Sequence, residues 1–408
     1  MTNAKIILAS VAALALMPAM ASAQHGAHNV LNGQMQLNDV IGVLNVEMGN
    51  ANGIAGTATA AGNNMAARSV ERDMNVVSTQ TLNGNVGALS NISAGSARGV
   101  TLSTAVTAGN TAQVVGCCAA TTSDVNQITT YGKSINATSV VRTGSADAIV
   151  SATQSTGNSF AGWTANGYTN GFAGQYNGAT ITADSVVEAC CNNTSITSGS
   201  VAAANSARWG GESATIYANV DQKNYADVAA TSRVGVHSAT NVTSAAAAGG
   251  NLAEIQNKWG YAQMDGYQEN NNRITAASAV SLGDWGGYAV SGANSIGNSA
   301  LVSNLGSDVT MSMMQRNNGD VNSFASLEGN SSRGGVGAVS SMATGNAITG
   351  YACASCGSAG VKVEGYSNQY NNAAVNATTF VGVGTAGPIS ASATAIGNSA
   401  TFIAQRSH

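Results

Sequence analysis

Hydrophobic and polar residues alternate along much of the chain. In Ser307 to Gly329, "SDVTMSMMQRNNGDVNSFASLEG", Val309, Met311 and Met313 are separated by polar residues. After "RNNG" an extended, β-branched pattern resumes from Val321 to Leu327. A period of two puts successive side chains on opposite faces of a strand. Asn-Asn-Gly reads as a turn, because Asn and Gly tolerate positive φ. The recurring Gly-Asn step, flanked by runs such as "SALV" and "SATF", reads as a second turn. Long helical periodicity is absent, and glycine is too frequent for helices. Each segment is therefore expected to form a few short strands joined by Gly/Asn turns.

The alternation is itself periodic. Asn63, Asn110, Asn158, Asn251, Asn298, Asn346 and Asn398 each follow a glycine, and Asn205 after Ala204 fills the one gap. Their spacings are 47, 48, 47, 46, 47, 48 and 52. Gln34, Gln80, Gln127, Gln175, Gln222, Gln268, Gln315 and Gln369 keep the same beat, with a small insertion before Gln369. Val or Ile usually follows six residues after the Gln, as at Val40, Val86, Ile181, Val228, Ile274, Val321 and Val375. The shared phrase is Gln-x-Asn-Asn-x-x-Val. Two markers held in phase predict eight copies of about 47 residues, running from Gln34 to about Phe402.

One such copy cannot bury its own apolar face, so the copies stack. Equivalent residues then lie about 4.8 Å apart. Val over Val gives a dry stripe, while Gln over Gln and Asn over Asn give amide ladders in which each side chain both donates and accepts. The expected fold class is all-β, a repeat β-solenoid. Small Ala and Ser let its walls approach closely, which accounts for a core in a chain with 5% aromatic residues. Six cysteines fall in local pairs, Cys117 with Cys118, Cys190 with Cys191, and Cys353 with Cys356. An even count in an exported chain favours disulfides, read here as local staples. The first two pairs are offset by about half a repeat. The sequence leaves open whether a copy is one wide coil or two coils of about 23 residues.

Residues 1–23 read as a secretory signal: Lys5, then the apolar "IILASVAALALMPAMA", then the small-residue site Ala21 to Ala23. Residues 24–33 are expected to form a mobile leader, 34–402 the solenoid and 403–408 a short tail. No other apolar run is long enough for a membrane helix. Only 8% of residues are charged, and without Lys5 there are fourteen basic against nineteen acidic residues. No basic patch appears, which argues against nucleic acid as a partner.

Candidate chemistry is sparse. Asp221 and Asp227 are the closest acidic pair worth naming, but Lys223 lies between them and no neighbouring copy reinforces them. Solvated or turn-capping roles suit these carboxylates better than catalysis. Cys353-x-x-Cys356 has no further ligands nearby for zinc. His25 and His28 belong to the leader. Trp163, Trp209, Trp259 and Trp285 are expected in loops or at strand ends, where indoles can stack on sugar rings or cap the solenoid wall. No cofactor, metal or catalytic residue is expected.

The signal segment, the low charge, the Gln-x-Asn-Asn phrase and the "ATAIGNSAT" repeats resemble the holdfast-anchoring protein D family of stalked alphaproteobacteria. The resemblance implies an exported, non-enzymatic protein on the outer surface at the cell pole that tethers an adhesive polysaccharide, the holdfast. It also implies an outer-membrane secretion and anchoring pore and a smaller curlin-like surface subunit as partners. A looser similarity is to curlins, whose stacked units repeat Gln and Asn and self-associate into fibres. The alternatives are a surface adhesin, either the head of a trimeric autotransporter or a self-associating amyloid-fibre former, and, less favoured, a polysaccharide-cleaving enzyme of the right-handed β-helix type.

Overall fold

A computed structural model describes residues 27–191, 193–332, 334–354 and 360–405. The signal segment, His25, Cys356 and residues 406–408 lie outside them. Twenty-one strands alternate with short corners among the described residues. They are β1 His28–Gln36, β2 Val40–Ala51, β3 Ile54–Val70, β4 Met74–Leu82, β5 Val86–Cys117, β6 Ala120–Thr129 and β7 Ser134–Ala165. Next come β8 Tyr168–Asn177, β9 Thr180–Ala189, β10 Asn193–Glu212, β11 Thr215–Asn224, β12 Val228–Lys258, β13 Ala262–Asn270 and β14 Ile274–Trp285. The remainder are β15 Tyr288–Leu305, β16 Val309–Asn317, β17 Val321–Ser331, β18 Val336–Cys353, β19 Val363–Asn371, β20 Val375–Thr385 and β21 Ile389–Gln405.

All pairings are parallel, in two sheets. The first sheet has eight strands in the order β1-β4-β6-β8-β11-β13-β16-β19, and the second collects the other thirteen. Gln34 pairs with Gln80, and Gln80 with Gln127, each one rung apart. Neighbouring rungs are therefore one full repeat apart, and each repeat is one wide coil. The half-repeat offset of the cysteines has a simple cause: Cys117 and Cys118 close the corner into the first sheet, and Cys190 and Cys191 the corner between two stretches of the second. This is a parallel β-solenoid.

The Gly-Asn steps are not turns between strands. Asn63 lies inside β3, and Asn110, Asn158, Asn205, Asn251, Asn298, Asn346 and Asn398 also lie inside strands. Alternation slips by one residue at each step: Ala58, Ala60, Asn63 and Met65 all point inward, so Gly62 is the bend. A Cβ on Gly62 would sit 2.6 Å from the Gly109 carbonyl oxygen, and one on Gly297 would sit 2.6 Å from that of Gly345. Close stacking of bend over bend is what demands glycine there. The sequence expectation went wrong because local turn chemistry was outweighed by the pairing of long strands.

That bend divides the interior into two main cores, with a small third cluster of Ile54, Ile92 and Ala94 near the first end. Before it, each coil packs against the first stretch of the second sheet around Val86, Ile135, Ile181, Val228, Ile274 and Val321. After it, the chain packs against the first sheet around Val76, Phe160, Trp209, Ile216, Met264 and Met311. The expected leader and tail boundaries also shift. His28 already pairs with Met74 in β1, and β21 continues to Gln405.

Candidate functional site

Between the two cores runs a buried polar seam. The Gln side chains point inward from the first sheet, and each later Nε2 donates to the preceding Oε1, from Gln80 to Gln34 up to Gln369 to Gln315, at 2.7–2.9 Å. The second Nε2 hydrogen crosses to the opposite wall, as from Gln222 to the Leu252 carbonyl at 2.9 Å. The Gly-Asn series answers from that wall. Each Asn Nδ2 donates to the next Oδ1, from Asn63 to Asn110 up to Asn346 to Asn398, at 2.7–2.9 Å. It also donates back to the first sheet, as Asn205 does to the Lys223 carbonyl at 2.9 Å. Buried amides cost free energy unless paired, and here every inner member is.

Two further spines were not read as ladders from the sequence, the first of them formed by the first Asn of the Gln-x-Asn-Asn phrase, which was expected in a turn. Asn177, Asn224, Asn270, Asn317 and Asn371 form a second Asn ladder at 2.7–2.8 Å. Each sits two residues after a ladder Gln, on the same inward face, so the period of two was the available signal. Ten buried serines form the other: Ser90, Ser103, Ser139, Ser151, Ser185, Ser198, Ser232, Ser244, Ser278 and Ser291 touch in a zigzag at 2.7–2.9 Å. Serine is so frequent in this chain that its phase was hidden by composition.

The seam is structural. The surface chemistry lies on the outer face of the first sheet and at its two edges. Tyr168, Tyr217 and Tyr261 stack along one edge with ring centroids 5.5 and 5.6 Å apart. Tyr131, Tyr176 and Tyr225 cluster at the other, with Tyr176 and Tyr225 5.0 Å apart. The tyrosines of each row are not at equivalent positions: Tyr217 pairs with Asn170 and Gln263, and Tyr176 with Ile128 and Lys223, so each row forms from rings reaching across neighbouring rungs. Burial raises the phenol pKa values of Tyr176 and Tyr225, and pushes that of Tyr267 up to about 12, with Glu269 adding to the effect. Asp265, Tyr267, Ser312, Met314, Tyr366 and Asn368 line a shallow open depression on the same face.

The four tryptophans separate. Trp163 and Trp259 are 47% and 51% exposed, while Trp209 and Trp285 are each 1% exposed. Trp209 packs 5.1 Å from Phe160, and Trp285 belongs to the other core. Neither buried indole can meet a sugar, so for these two the sequence expectation is corrected. Trp259 adopts a φ of 58° at the corner where Glu71, Cys118, Asn166, Ser213 and Gly306 do the same in other coils. Lys258 Nζ lies 3.8 Å from its ring centroid.

The remaining candidates stay apart. Asp221 pairs with Lys223 at 3.1 Å, and Asp227 with Arg273 at 2.8 Å, so each carboxylate has its own cation. Disulfides join Cys117 to Cys118 and Cys190 to Cys191. Cys353 is half-buried. Among the described residues, no group of three His, Cys, Asp or Glu side chains is placed to hold a metal ion, and no helix is long and apolar enough to cross a membrane.

The family model for holdfast attachment protein D matches residues 48–320, about two thirds of the 408 residues. The chain belongs to the holdfast attachment protein D family. The match begins in the first coil and ends in the corner after β16, within the stacked coils. No curated protein and no solved structure matches the chain.

Proposed function

We propose that this member of the holdfast attachment family is a non-enzymatic tether on the outer cell surface that anchors the adhesive polysaccharide to the outer membrane at the cell pole. The observation that carries the reading is the outer face of the first sheet. Neighbouring rungs there hold tyrosine rows, the exposed Trp259 stands at the corner leading into that sheet while the exposed Trp163 belongs to the second, and the acidic pair singled out in the sequence is neutralised by adjacent cations. Aromatic faces suit the apolar faces of sugar rings, and a face repeated every rung can engage many residues of a polymer at once. Each contact is weak, and their number supplies the hold.

In this reading the signal segment sends the chain to an outer-membrane pore that exports and retains it, with a curlin-like subunit beside it. Cells lacking the protein make the adhesive but shed it into the medium. Microscopy of lectin-stained cells, with recovery of adhesive from spent medium, tests this. Normal retention in the deletion strain would overturn the reading. A β-helix hydrolase predicts release of reducing ends from acidic or amino-sugar polymers by the purified chain, and this reading expects none.

A further inference from the structure

The two ends of the solenoid match each other. Among the described residues β1, β2 and β3 have partners on one edge only, as do β19, β20 and β21. Six strands therefore present unpaired backbone, a template for another strand. Strands of 9, 12 and 17 residues at the first end face away from strands of 9, 11 and 17 at the last. Within the chain the step between rungs varies from 46 residues, between Gln34 and Gln80, to 54, between Gln315 and Gln369. The first and last coils, in contrast, superpose in sequence with one constant offset. Gln34, Val40, Val46, Ile54, Gly62 and Asn63 correspond to Gln369, Val375, Val381, Ile389, Gly397 and Asn398, with no insertion between them.

The ladders have a direction. In the Gln ladder the later rung donates to the earlier, so Gln369 Oε1 is the open acceptor at the last end and Gln34 Nε2 the open donor at the first. In the Gly-Asn ladder the earlier rung donates to the later, so Asn398 Nδ2 is the open donor and Asn63 Oδ1 the open acceptor. Setting a first end on a last end pairs donor with acceptor in both ladders. Setting two last ends together faces Oε1 with Oε1 and Nδ2 with Nδ2. The outward side chains agree. Leu31 and Met35 are 81% and 66% exposed, and the same register places them beside Tyr366 and Tyr370, 71% and 52% exposed. The equivalent outward positions of inner rungs are mixed, with Val77 and Phe172 as well as Asp124 in the row of Leu31, and Ile128 and Tyr176 as well as Lys223 in the row of Met35, so an end-to-end contact continues rows that already run along the sheet.

We infer that the partner of each open end is a second copy of this chain, stacked head to tail in continuous register. The contact is heterologous, so it propagates into a filament in which the coil repeat runs unbroken from chain to chain. Eight rungs per copy at about 4.8 Å give an axial rise of about 38 Å per chain.

The ladder polarity supplies a selective test. In Gln34→Glu the side chain still accepts from Gln80 but has no donor for the neighbouring copy. In Asn398→Asp it still accepts from Asn346 but has no donor outward. Asn170→Asp adds the same charge on the outer face of a middle rung, away from both ends. Circular dichroism establishes that each variant is folded. Sedimentation velocity across a concentration series and negative-stain microscopy then read the assembly. Wild type and N170D are expected to grow with concentration into filaments with the 38 Å rise. Q34E and N398D are expected to remain single chains, with critical concentrations raised at least tenfold. A wild type that stays a single particle throughout, or end variants that assemble as readily as N170D, would overturn the proposal.

Discussion

Replacing Gln222 with Met tests whether the polar seam holds the coils together. Gln222 is fully buried and makes three hydrogen bonds: it donates to Gln175 Oε1 at 2.7 Å and to the Leu252 carbonyl at 2.9 Å, and it accepts from Gln268 Nε2 at 2.7 Å. Met has nearly the same length and no amide, so little cavity forms. Three polar groups, two on neighbouring coils and one on the facing wall of the same coil, lose a partner where water does not reach. Each orphan costs about 1–3 kcal/mol. Relaxation of the neighbouring amides brings the sum toward the lower half of that range, about 4 kcal/mol. The same change at Gln34, a half-exposed end member, disturbs only Gln80 and the exposed Asn64 carbonyl, and should cost about 1 kcal/mol or less. Stacked coils interact with their nearest neighbours, so the loss is local. Hydrogen exchange with mass spectrometry in dilute solution should show the backbone of 215–224 and 262–270 opening about a thousandfold more often in Q222M, since 1.4 kcal/mol is a factor of ten. Urea unfolding followed by tryptophan fluorescence gives the matching loss. A Q222M protein within about 1 kcal/mol of wild type, with unchanged exchange in those strands, would refute the idea that the ladder is a structural necessity.

Other perturbations separate the remaining roles. Gly297→Ala puts a Cβ 2.6 Å from the Gly345 carbonyl oxygen and should cost about 1–3 kcal/mol, whereas Gly235→Ala meets nothing within 4 Å and should be neutral or slightly stabilising; urea midpoints decide between them. Trp163→Ala and Trp259→Ala should each weaken retention of holdfast polysaccharide on immobilised protein by about three- to tenfold, at unchanged urea midpoint. Tyr267 has its phenol pKa raised to about 12 in the folded chain from an ordinary value near 10, so its contribution is complete below pH 10 and is lost as the pH rises through 12. Tyr267→Phe should flatten that alkaline limb of the stability curve. The cross-coil Arg142–Glu188 pair is more than half exposed on both sides, so Arg142→Gln should shift stability by less than about 1 kcal/mol and become indistinguishable from wild type at high salt.

What the sequence disclosed depended on whether a feature repeated in phase. The Gln and Gly-Asn series named the residues of two ladders, and alternation named the strand class, because a stacked fold writes its contacts as periodicity. Three things were hidden. The Gly-Asn steps look like turns locally, and only pairing along the whole of β3 and its neighbours shows that Asn63 and its equivalents sit within strands with their side chains inward. The number of coils per repeat is a question of register, which Gln34 opposite Gln80 decides and composition does not. Burial of Trp209 against exposure of Trp163 is a matter of one position in register, since Trp209 lies opposite Gly162 and Trp163 opposite Gly210, whereas Trp259 stands at a corner and Trp285 ends β14 ahead of the bend; spacing from the Gln distinguishes none of these.

The seam also answers a problem set by the composition. A core built from Ala, Val and Ser is nearly the same at every rung, so apolar packing alone discriminates weakly between a correct stack and one slipped by two residues, which keeps every side chain on its face. Buried amides do discriminate. Slipping one strand of the first sheet by two residues would set Gln222 opposite Ala173 or Asn177 and strand three hydrogen-bonding groups, whereas the true register satisfies all of them. The ladders thus contribute specificity in a core whose hydrophobic content contributes bulk stability. They do so through a rule that is identical at each rung and carries a direction. Uniform rungs with a direction are also what make a first coil an acceptable continuation of a last one, so the device that aligns coils within a chain is the one that would align chains with each other.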